Sequence, residues 1–214
     1  MHLGIFQLAL VTSLFSWIIL FFFRGRFWLA DQKIATDLTN LDTWPSVAIV
    51  IPARNEEESV NTALQSLLAQ NYPGKTAIII VNDNSSDNTV EEITRVKTNA
   101  ITLLNSPELP KGWTGKLWAL RQGIDYLNKN NPPVDYYLFT DADIKHSPEN
   151  LTLLVTKAER EKLQLASFMV LLNCDSLWEK LLIPAFVFFF QKLYPFQWIN
   201  DPKRTTAGAA GGYL

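Results

Sequence analysis

The chain has 214 residues, with 19 Lys and Arg against 21 Asp and Glu, which gives a formal net charge of −2. This balance excludes the electrostatic footprint of a nucleic-acid-binding protein. The single cysteine, Cys174, excludes an internal disulfide and a cysteine-based zinc site, and it fits a reducing compartment.

The first predicted element is a transmembrane helix over Leu3–Phe23, an uncharged and mostly apolar run long enough to cross the hydrocarbon core. A cleaved signal peptide is the alternative, but the run is too long for one, and Arg24 and Arg26 follow it in place of small residues. Because Arg24, Arg26 and Lys33 follow the helix and only His2 precedes it, the positive-inside rule predicts a protein of the cytoplasmic membrane whose remaining chain faces the cytoplasm.

A connector over Asp31–Trp44 leads to Pro45, so we expect residues 1–46 to form the anchor and connector and residues 47–214 to form one α/β domain. Val47–Ile51 predicts a strand covered on both faces. A helix is expected next, with Asn55 as its N-cap and Glu58 completing a capping box. Its apolar face consists of Val60, Leu64, Leu67 and Leu68.

Two further strands follow at similar spacing, over Ala77–Val81 and Ile101–Leu104. Between them lies the polar loop NDNSSDNT, in which Ser86 or Asp87 is expected to cap a helix. The alternation of strands and helices predicts a parallel sheet with right-handed crossovers, which is a Rossmann-like nucleotide-binding architecture. Polar loops then lie at the carboxyl ends of the strands.

The segment Tyr136 to Asp143, YYLFTDAD, predicts a buried strand that ends where two aspartates begin. At the carboxyl end of a parallel strand, Asp141 and Asp143 can share a divalent cation in one crevice. Oxygen ligands of this kind suit Mg²⁺ or Mn²⁺, which in turn holds a diphosphate. The alternative is a solvated turn in which an aspartate caps the next helix.

The last third of the chain predicts a helix over Pro148–Glu159 and a strand within Leu163–Leu172. Leu181–Phe190 is uncharged but too short to span a membrane, so an interfacial helix or an isoprenoid-facing surface is favoured over a buried core helix. The closing AGAAGGYL is rich in glycine, which lets backbone approach a ligand closely.

Four segments in one order, VAIVIPARNEEESV, IIIVNDNSSDNTVE, PKGWTGKLWALRQGI and YYLFTDADIKHSPENL, resemble the family 2 glycosyltransferases with the GT-A fold. The resemblance covers Val47 to Leu151, and GWTGKLWAL is most similar to the hopene-associated and carotenoid-type branch. It implies a Rossmann-like, mostly parallel sheet with flanking helices, which follows the N-terminal transmembrane helix predicted from the apolar run. The implied reaction is an inverting transfer of sugar from a nucleotide-diphospho-sugar, expected to be a UDP-sugar, to an isoprenoid or hopanoid lipid.

The resemblance also implies roles for single residues. Glu56 is expected to accept hydrogen bonds from the ribose or base, unless Glu56, Glu57 and Glu58 only complement a helix dipole. Asp83 is expected to meet the base, with an Asx-turn as the alternative, and Lys116 the nucleotide or diphosphate, with a solvated lysine as the alternative. The donor-binding set is Pro52, Glu56, Asp83, Lys116 and Asp141, in which Asp141 meets the ribose, and the metal ligands are Asp143 and Asp141.

Two expectations remain. His146 either lies near the metal or is a capping or surface residue. The carboxylate that deprotonates the acceptor hydroxyl has no matching segment up to Leu214, so the general base is expected downstream and residues 47–214 are expected to be an incomplete, donor-binding part. The alternatives are a non-catalytic donor-binding remnant or scaffold at the membrane, and a nucleotidyltransferase, against which the acidic PARNEE loop argues.

Overall fold

A computed structural model describes residues 2–34, 41–130 and 133–214. It divides into two compact units, one formed by Met1–Ile34 and Leu171–Gly208 and the other by Ala35–Val170 and Ala209–Leu214. The strands, in chain order, are β1 (Val47–Ala53), β2 (Thr76–Asn82), β3 (Ile101–Asn105) and β4 (Tyr136–Phe139). The helices are α1 (His2–Phe23), α2 (Val60–Leu68), α3 (Thr89–Arg95), α4 (Gly115–Asn130), α5 (Asn150–Glu161), α6 (Leu177–Leu193) and α7 (Phe196–Ile199), with a 3₁₀ helix over Phe27–Leu29.

The larger unit is built on a four-stranded sheet in the order β3-β2-β1-β4, and every pair of neighbouring strands is parallel. The chain steps outward from β1 to β3 and then returns to place β4 on the other side of β1. The strand order therefore reverses between β1 and β4, and open α/β sheets bind ligands at such a point. This confirms the predicted parallel α/β architecture, and the four predicted strands match the observed ones to within two residues at each end.

The sheet is buried on both faces because alternate residues of a strand point to opposite sides. In β1, Ile49 and Ile51 belong to one apolar cluster, which includes Leu64 of α2 and Leu151 of α5. Val50 and its neighbour Ala48 belong to the cluster on the other face, where Ala119 and Leu127 of α4 pack. The continuous β-branched runs in the sequence thus correspond to central strands covered by helices.

Two predicted local features are wrong. Helix α2 begins at Val60, and Asn55 has a left-handed φ of 55°, so the predicted capping box of Asn55 and Glu58 does not form. No strand forms within the described segment Leu163–Leu172. The backbone of this segment makes isolated hydrogen bonds and no strand ladder. One of them runs from the Phe168 N–H to the Tyr213 carbonyl at 3.0 Å.

The smaller unit contains α1, the 3₁₀ helix, α6 and α7. Within α1, Gly4–Phe23 is long and apolar enough to cross a membrane. Among the described residues, no other helix meets this criterion of length and composition. Phe27 is buried against Phe188 of α6, with ring centroids 5.1 Å apart. No residue of the fully described helix α6 is buried, so the alternative of a core helix at Leu181–Phe190 is wrong.

Candidate functional site

A cleft of about 400 Å³ lies in the larger unit at the carboxyl ends of β1, β2 and β4, beside the start of α4. It brings together all six residues expected in the donor site. A groove of about 860 Å³ lies beside β4 and α5, but mostly apolar and aromatic side chains line it, so the charged chemistry belongs to the smaller cleft. That cleft is lined by Pro52, Ala53, Arg54, Glu56, Asp83, Gly115, Lys116, Asp141, Ala142 and Asp143.

Asp83 is buried at the end of β2, with 5% of its surface exposed. Its backbone N–H donates to the Ala53 carbonyl at 2.8 Å, which ties the end of β2 to the end of β1. In the described chain the one side-chain partner of its carboxylate is Arg54, whose Nη1 lies 3.5 Å from Oδ2. The preceding residue, Asn82, makes the side-chain bond to the following loop, because its Oδ1 accepts the Ser85 N–H at 3.1 Å.

Gly115 opens α4 directly against Asp83. A Cβ built on Gly115 would overlap Asp83 Oδ2, so only glycine leaves the carboxylate its observed place. Arg54 and Gly115 were not among the predicted site residues. The sequence marks them only weakly, because Arg54 is one residue of the polar PARNEE loop and Gly115 is one of two glycines close together at the start of α4.

The Asp-x-Asp segment directly follows β4 and lines the cleft at the end of that strand. Asp141 Oδ1 is 2.5 Å from Lys116 Nζ, which forms an ion pair between β4's exit and the first turn of α4. The Asp141 N–H donates to the Gly212 carbonyl at 3.2 Å, and Asp143 is exposed. The structure therefore gives Lys116 a charged partner, while its side chain stays 50% exposed to solvent.

The chemistry of these carboxylates fits a Mg²⁺ or Mn²⁺ ion that keeps phosphate and water ligands. Within residues 2–34, 41–130 and 133–214, no group of three or more His, Cys, Asp or Glu side chains is placed to hold a metal by itself. Mg²⁺ is commonly bound in this way by one or two carboxylates together with substrate phosphates. Asp143 and the second oxygen of Asp141 can supply those carboxylate ligands.

The loops after β1 and β2 are linked to each other by reciprocal hydrogen bonds. Glu57 accepts from the backbone N–H and the Nδ2 of Asn88 at 2.9 and 2.8 Å, and its own N–H donates to Asp87 Oδ2 at 3.2 Å. Asn55 Oδ1 accepts the Ser86 N–H at 2.8 Å. Glu57 therefore has a structural role, whereas Glu56 lines the cleft with one oxygen accepting from Ser59 Oγ at 2.7 Å.

The N-cap position of α3 is Asn88, so the expectation that Ser86 or Asp87 occupies it is wrong. Asp87 lies one residue earlier and still bonds the first residue of the helix: its Oδ1 accepts from the Thr89 N–H at 3.1 Å and from Thr89 Oγ1 at 2.5 Å. Desolvation raises the pKa of Asp87, but the hydrogen bonds from Thr89 and from the Glu57 N–H outweigh it and leave that pKa lowered. Thr89 Oγ1 in turn accepts the Glu56 N–H at 2.7 Å, so the first residue of α3 also holds the backbone of a cleft residue.

His146 is buried, with 4% of its surface exposed, so the expected capping or surface role is wrong. Its Nε2 lies 3.4 Å from Thr140 Oγ1, and its ring centroid is 5.0 Å from that of Tyr213. The ring is thus in the core behind the Asp-x-Asp segment and does not line the cleft. Burial lowers the pKa of His146 to about 4.

The glycine-rich tail lies along the end of β4. Phe139 and Leu214 exchange backbone hydrogen bonds of 2.7 and 2.9 Å, and Thr140 pairs with Tyr213 in antiparallel orientation. Tyr213 is 2% exposed and stacks on Phe168. The sequence pattern did not predict this pairing of the tail with β4. The paired tail positions the backbone of Asp141, because the Gly212 carbonyl accepts the Asp141 N–H.

Comparison with known proteins places this cleft in a family. Poly-beta-1,6-N-acetyl-D-glucosamine synthase of Staphylococcus aureus is 35% identical over 104 residues, which are 49% of this chain and 23% of that protein. The 4,4'-diaponeurosporenoate glycosyltransferase of the same species is 30% identical over 99 residues, 46% of this chain and 24% of that protein. The matched segment therefore spans about a quarter of the length of these curated relatives.

Among solved structures, a mannosyltransferase from Pyrobaculum calidifontis, determined in complex with GDP-Man and Mn²⁺, is similar with a TM-score of 0.52 and 25% identity. The similarity covers 71% of this chain and 42% of that one, and it confirms the predicted GT-A fold. Residues 48–210 match the model of Glycosyl transferase family 2. This match includes β1 from its second residue, β2 to β4 and every residue that lines the cleft, and the chain therefore belongs to glycosyl transferase family 2.

Proposed function

We propose that the protein is a metal-dependent glycosyltransferase that binds a nucleotide-diphospho-sugar in the cleft at the ends of β1, β2 and β4. The observation that carries the proposal is the convergence of Asp83, Lys116, Asp141 and Asp143 from three separate chain segments on one crevice. A crevice at the reversal of strand order is where open α/β sheets bind nucleotides. The family match and the GDP-Man complex of the similar mannosyltransferase support a nucleotide-sugar donor.

The charges that line the cleft explain why a divalent cation is needed. Two cationic side chains, Arg54 and Lys116, stand against the carboxylates of Glu56, Asp83, Asp141 and Asp143. Because the carboxylates outnumber the cationic side chains, the cleft repels the negative charge of a diphosphate until a divalent cation binds between the carboxylates and the phosphates. When bound, Mg²⁺ or Mn²⁺ supplies Lewis-acid stabilisation for the charge of the departing nucleoside diphosphate.

The residues of the chain have separate tasks in donor binding. Asp83 is held at the base of the cleft and accepts a hydrogen bond from the nucleobase, while Pro52 and Glu56 line the nucleotide pocket. Asp141 meets the ribose on one side and contributes to the metal site on the other. Lys116, at the first turn of α4, presents its ammonium to the diphosphate.

The proposed acceptor is an isoprenoid or hopanoid lipid, and the transfer is proposed to invert the anomeric centre. The relative that acts on diaponeurosporenoate, as its name states, supports a lipid acceptor. Helix α1 supports a membrane anchor by its length and composition. The basic residues Arg24, Arg26 and Lys33 after α1 favour an orientation in which the donor cleft faces the cytoplasm.

Calorimetry on the full chain in detergent tests the donor site directly. UDP, UDP-N-acetylglucosamine and GDP-mannose are titrated with and without Mn²⁺, for the wild type, Asp143→Asn and the matched control Asp125→Asn. Asp125 is also a carboxylate of the larger unit, but it pairs with Arg121 on α4 away from the cleft. We expect binding of at least one nucleotide to need Mn²⁺ and to be lost only in Asp143→Asn. Absence of any nucleotide binding by the wild type would refute the proposal.

Mass spectrometry then distinguishes a glycosyltransferase from a non-catalytic donor-binding protein. A polyprenol acceptor is incubated with the protein and the nucleotide sugar that binds in calorimetry. Formation of a glycosylated polyprenol that Asp143→Asn does not form supports sugar transfer. Donor binding without any transfer across a panel of polyprenol and hopanoid acceptors supports the non-catalytic donor-binding protein instead.

A further inference from the structure

Helix α6 presents a continuous apolar stripe on its surface. Trp178, Leu182, Phe186, Phe189 and Leu193 follow one another at spacings of three or four residues, which places them on one face of the helix. Each is between 46% and 68% exposed. Single exposed apolar residues are ordinary, but a contiguous apolar face marks an interaction surface.

The ends of α6 exclude a transmembrane course for it. The uncharged run lies between Lys180 and Lys192, and a helical span needs about 20 apolar residues. At the first turn, Ser176 and Glu179 form a capping box in which Glu179 Oε2 accepts the Ser176 N–H at 2.7 Å. A helix with polar groups at both ends and an apolar stripe along its length suits the plane of an interface.

The contact between α6 and the end of α1 indicates what covers the stripe. Arg24, the first residue after α1, donates from Nε and Nη2 to the carbonyls of Lys192 and Leu193 at 3.1 and 3.2 Å. Gly25 has a φ of 58°, and a Cβ there would overlap Trp198, so the turn after α1 packs tightly on the chain that follows α6. The last turn of α6 is therefore held at the point where the apolar helix α1 ends.

We infer that α6 is an in-plane membrane helix whose apolar stripe inserts into the phospholipid bilayer at the level where α1 leaves it. This inference rests on the proposed anchoring by α1, because that anchoring places the last turn of α6 at the depth of the lipid headgroups. Trp178 and Tyr194 near the ends of α6 are side chains that favour this depth.

The charges of the smaller unit suit phospholipid headgroups. The guanidinium groups of Arg24 and Arg204 lie 5.0 and 4.7 Å from the ring centroid of Trp198, which gathers two cations around one aromatic ring. Basic side chains outnumber acidic ones in this unit although the whole chain has a net charge of −2. The basic residues are Arg24, Arg26, Lys33, Lys180, Lys192, Lys203 and Arg204, and the acidic ones are Asp31, Asp175, Glu179 and Asp201.

Site-directed spin labelling of the full chain in vesicles of phosphatidylcholine and phosphatidylglycerol tests this inference. The single native cysteine permits a Cys174→Ser background, into which Phe186→Cys, Phe189→Cys, Lys180→Cys or Leu10→Cys is introduced one at a time. Collision with oxygen reports the bilayer, and collision with a water-soluble nickel chelate reports the aqueous phase. Lys180 lies off the stripe and serves as the control on the same helix, while Leu10 reports the anchoring of α1.

We expect labels at 186, 189 and 10 to collide with oxygen and to be shielded from nickel, and the label at 180 to show the reverse. Labels at 186 and 189 that collide with nickel while the label at 10 does not would overturn the inference and leave the anchor intact. A label at 10 that collides with nickel would overturn the anchoring itself, and the inference with it. Labels at 186 and 189 that are shielded from both reagents would show a protein partner on the stripe and would also overturn it.

Discussion

Replacing Gly115 with alanine is expected to weaken donor binding by moving Asp83. The added Cβ would overlap Asp83 Oδ2 and would stand 3.7 Å from Arg54 Nη1. Asp83 has little room to retreat, because it is 5% exposed and its N–H is bound to the Ala53 carbonyl at 2.8 Å. The carboxylate must therefore rotate away from its present place at the base of the cleft.

The expected loss follows from the hydrogen bond that the displaced carboxylate no longer makes to the nucleobase. A hydrogen bond to a charged group contributes about 1.5–3 kcal/mol, and about 1.4 kcal/mol corresponds to a tenfold change in affinity. The Kd for the nucleotide is thus expected to rise roughly 10–100-fold. Alanine is a better helix former than glycine by about 1 kcal/mol, which opposes the cost of displacing Asp83, so the unfolding temperature should change little.

Calorimetry in the presence of Mn²⁺ measures the effect, with Gly211→Ala as the matched control because no atom lies within 4 Å of a Cβ at that position. A double-mutant cycle with Asp83→Ala then isolates the mechanism. Once the carboxylate is absent, Gly115→Ala should cost little further affinity. Additive losses in the double variant, or an unchanged Kd in Gly115→Ala, would refute the reasoning.

Three further predictions use other parts of the chain. Lys116→Met should weaken binding of UDP but not of uridine, because its ammonium is proposed to meet the diphosphate, and equal losses in calorimetry would contradict this. Burial lowers the pKa of His146 from 6.5 to about 4, so the unfolded chain binds a proton between these values that the folded chain does not. Stability should therefore fall as the pH drops from 6.5 to 4, by at most roughly 3 kcal/mol, and His146→Phe should flatten this dependence in thermal unfolding. A reporter fused after Lys33 should be cytoplasmic, and a reporter outside the cytoplasm would exclude the proposed orientation.

The parts of the fold that the sequence predicted well are those with a local physical cause. The continuous apolar runs Val47–Ile51 and Ala77–Val81 are central strands because such runs can be buried only where helices cover both faces of a sheet. The loops that follow parallel strands lie at one edge of the sheet, so the spacing of PARNEE, NDNSSDNT and TDAD already indicated a shared crevice.

The parts that the sequence did not predict depend on residues distant along the chain. Asn55 was expected to cap α2, but the loop after β2 binds its side chain instead. The burial of His146 depends on Tyr213, which reaches it through antiparallel pairing of the tail with Thr140. The hydrophobic periodicity of a segment cannot predict such pairing, because the two segments that pair lie far apart in the sequence.

The acidic loops around the cleft divide their carboxylates between structure and ligand binding, which explains why so many occur together. Glu57 and Asp87 each accept backbone N–H groups from the neighbouring loop or helix, so their charges are used to fix the loops to each other. Asp83, Asp141 and Asp143 line the cleft between those fixed loops. Binding residues held by such supporting hydrogen bonds lose less freedom when a ligand arrives. The reciprocal links between the loops therefore prepare the cleft for a donor before the donor is bound.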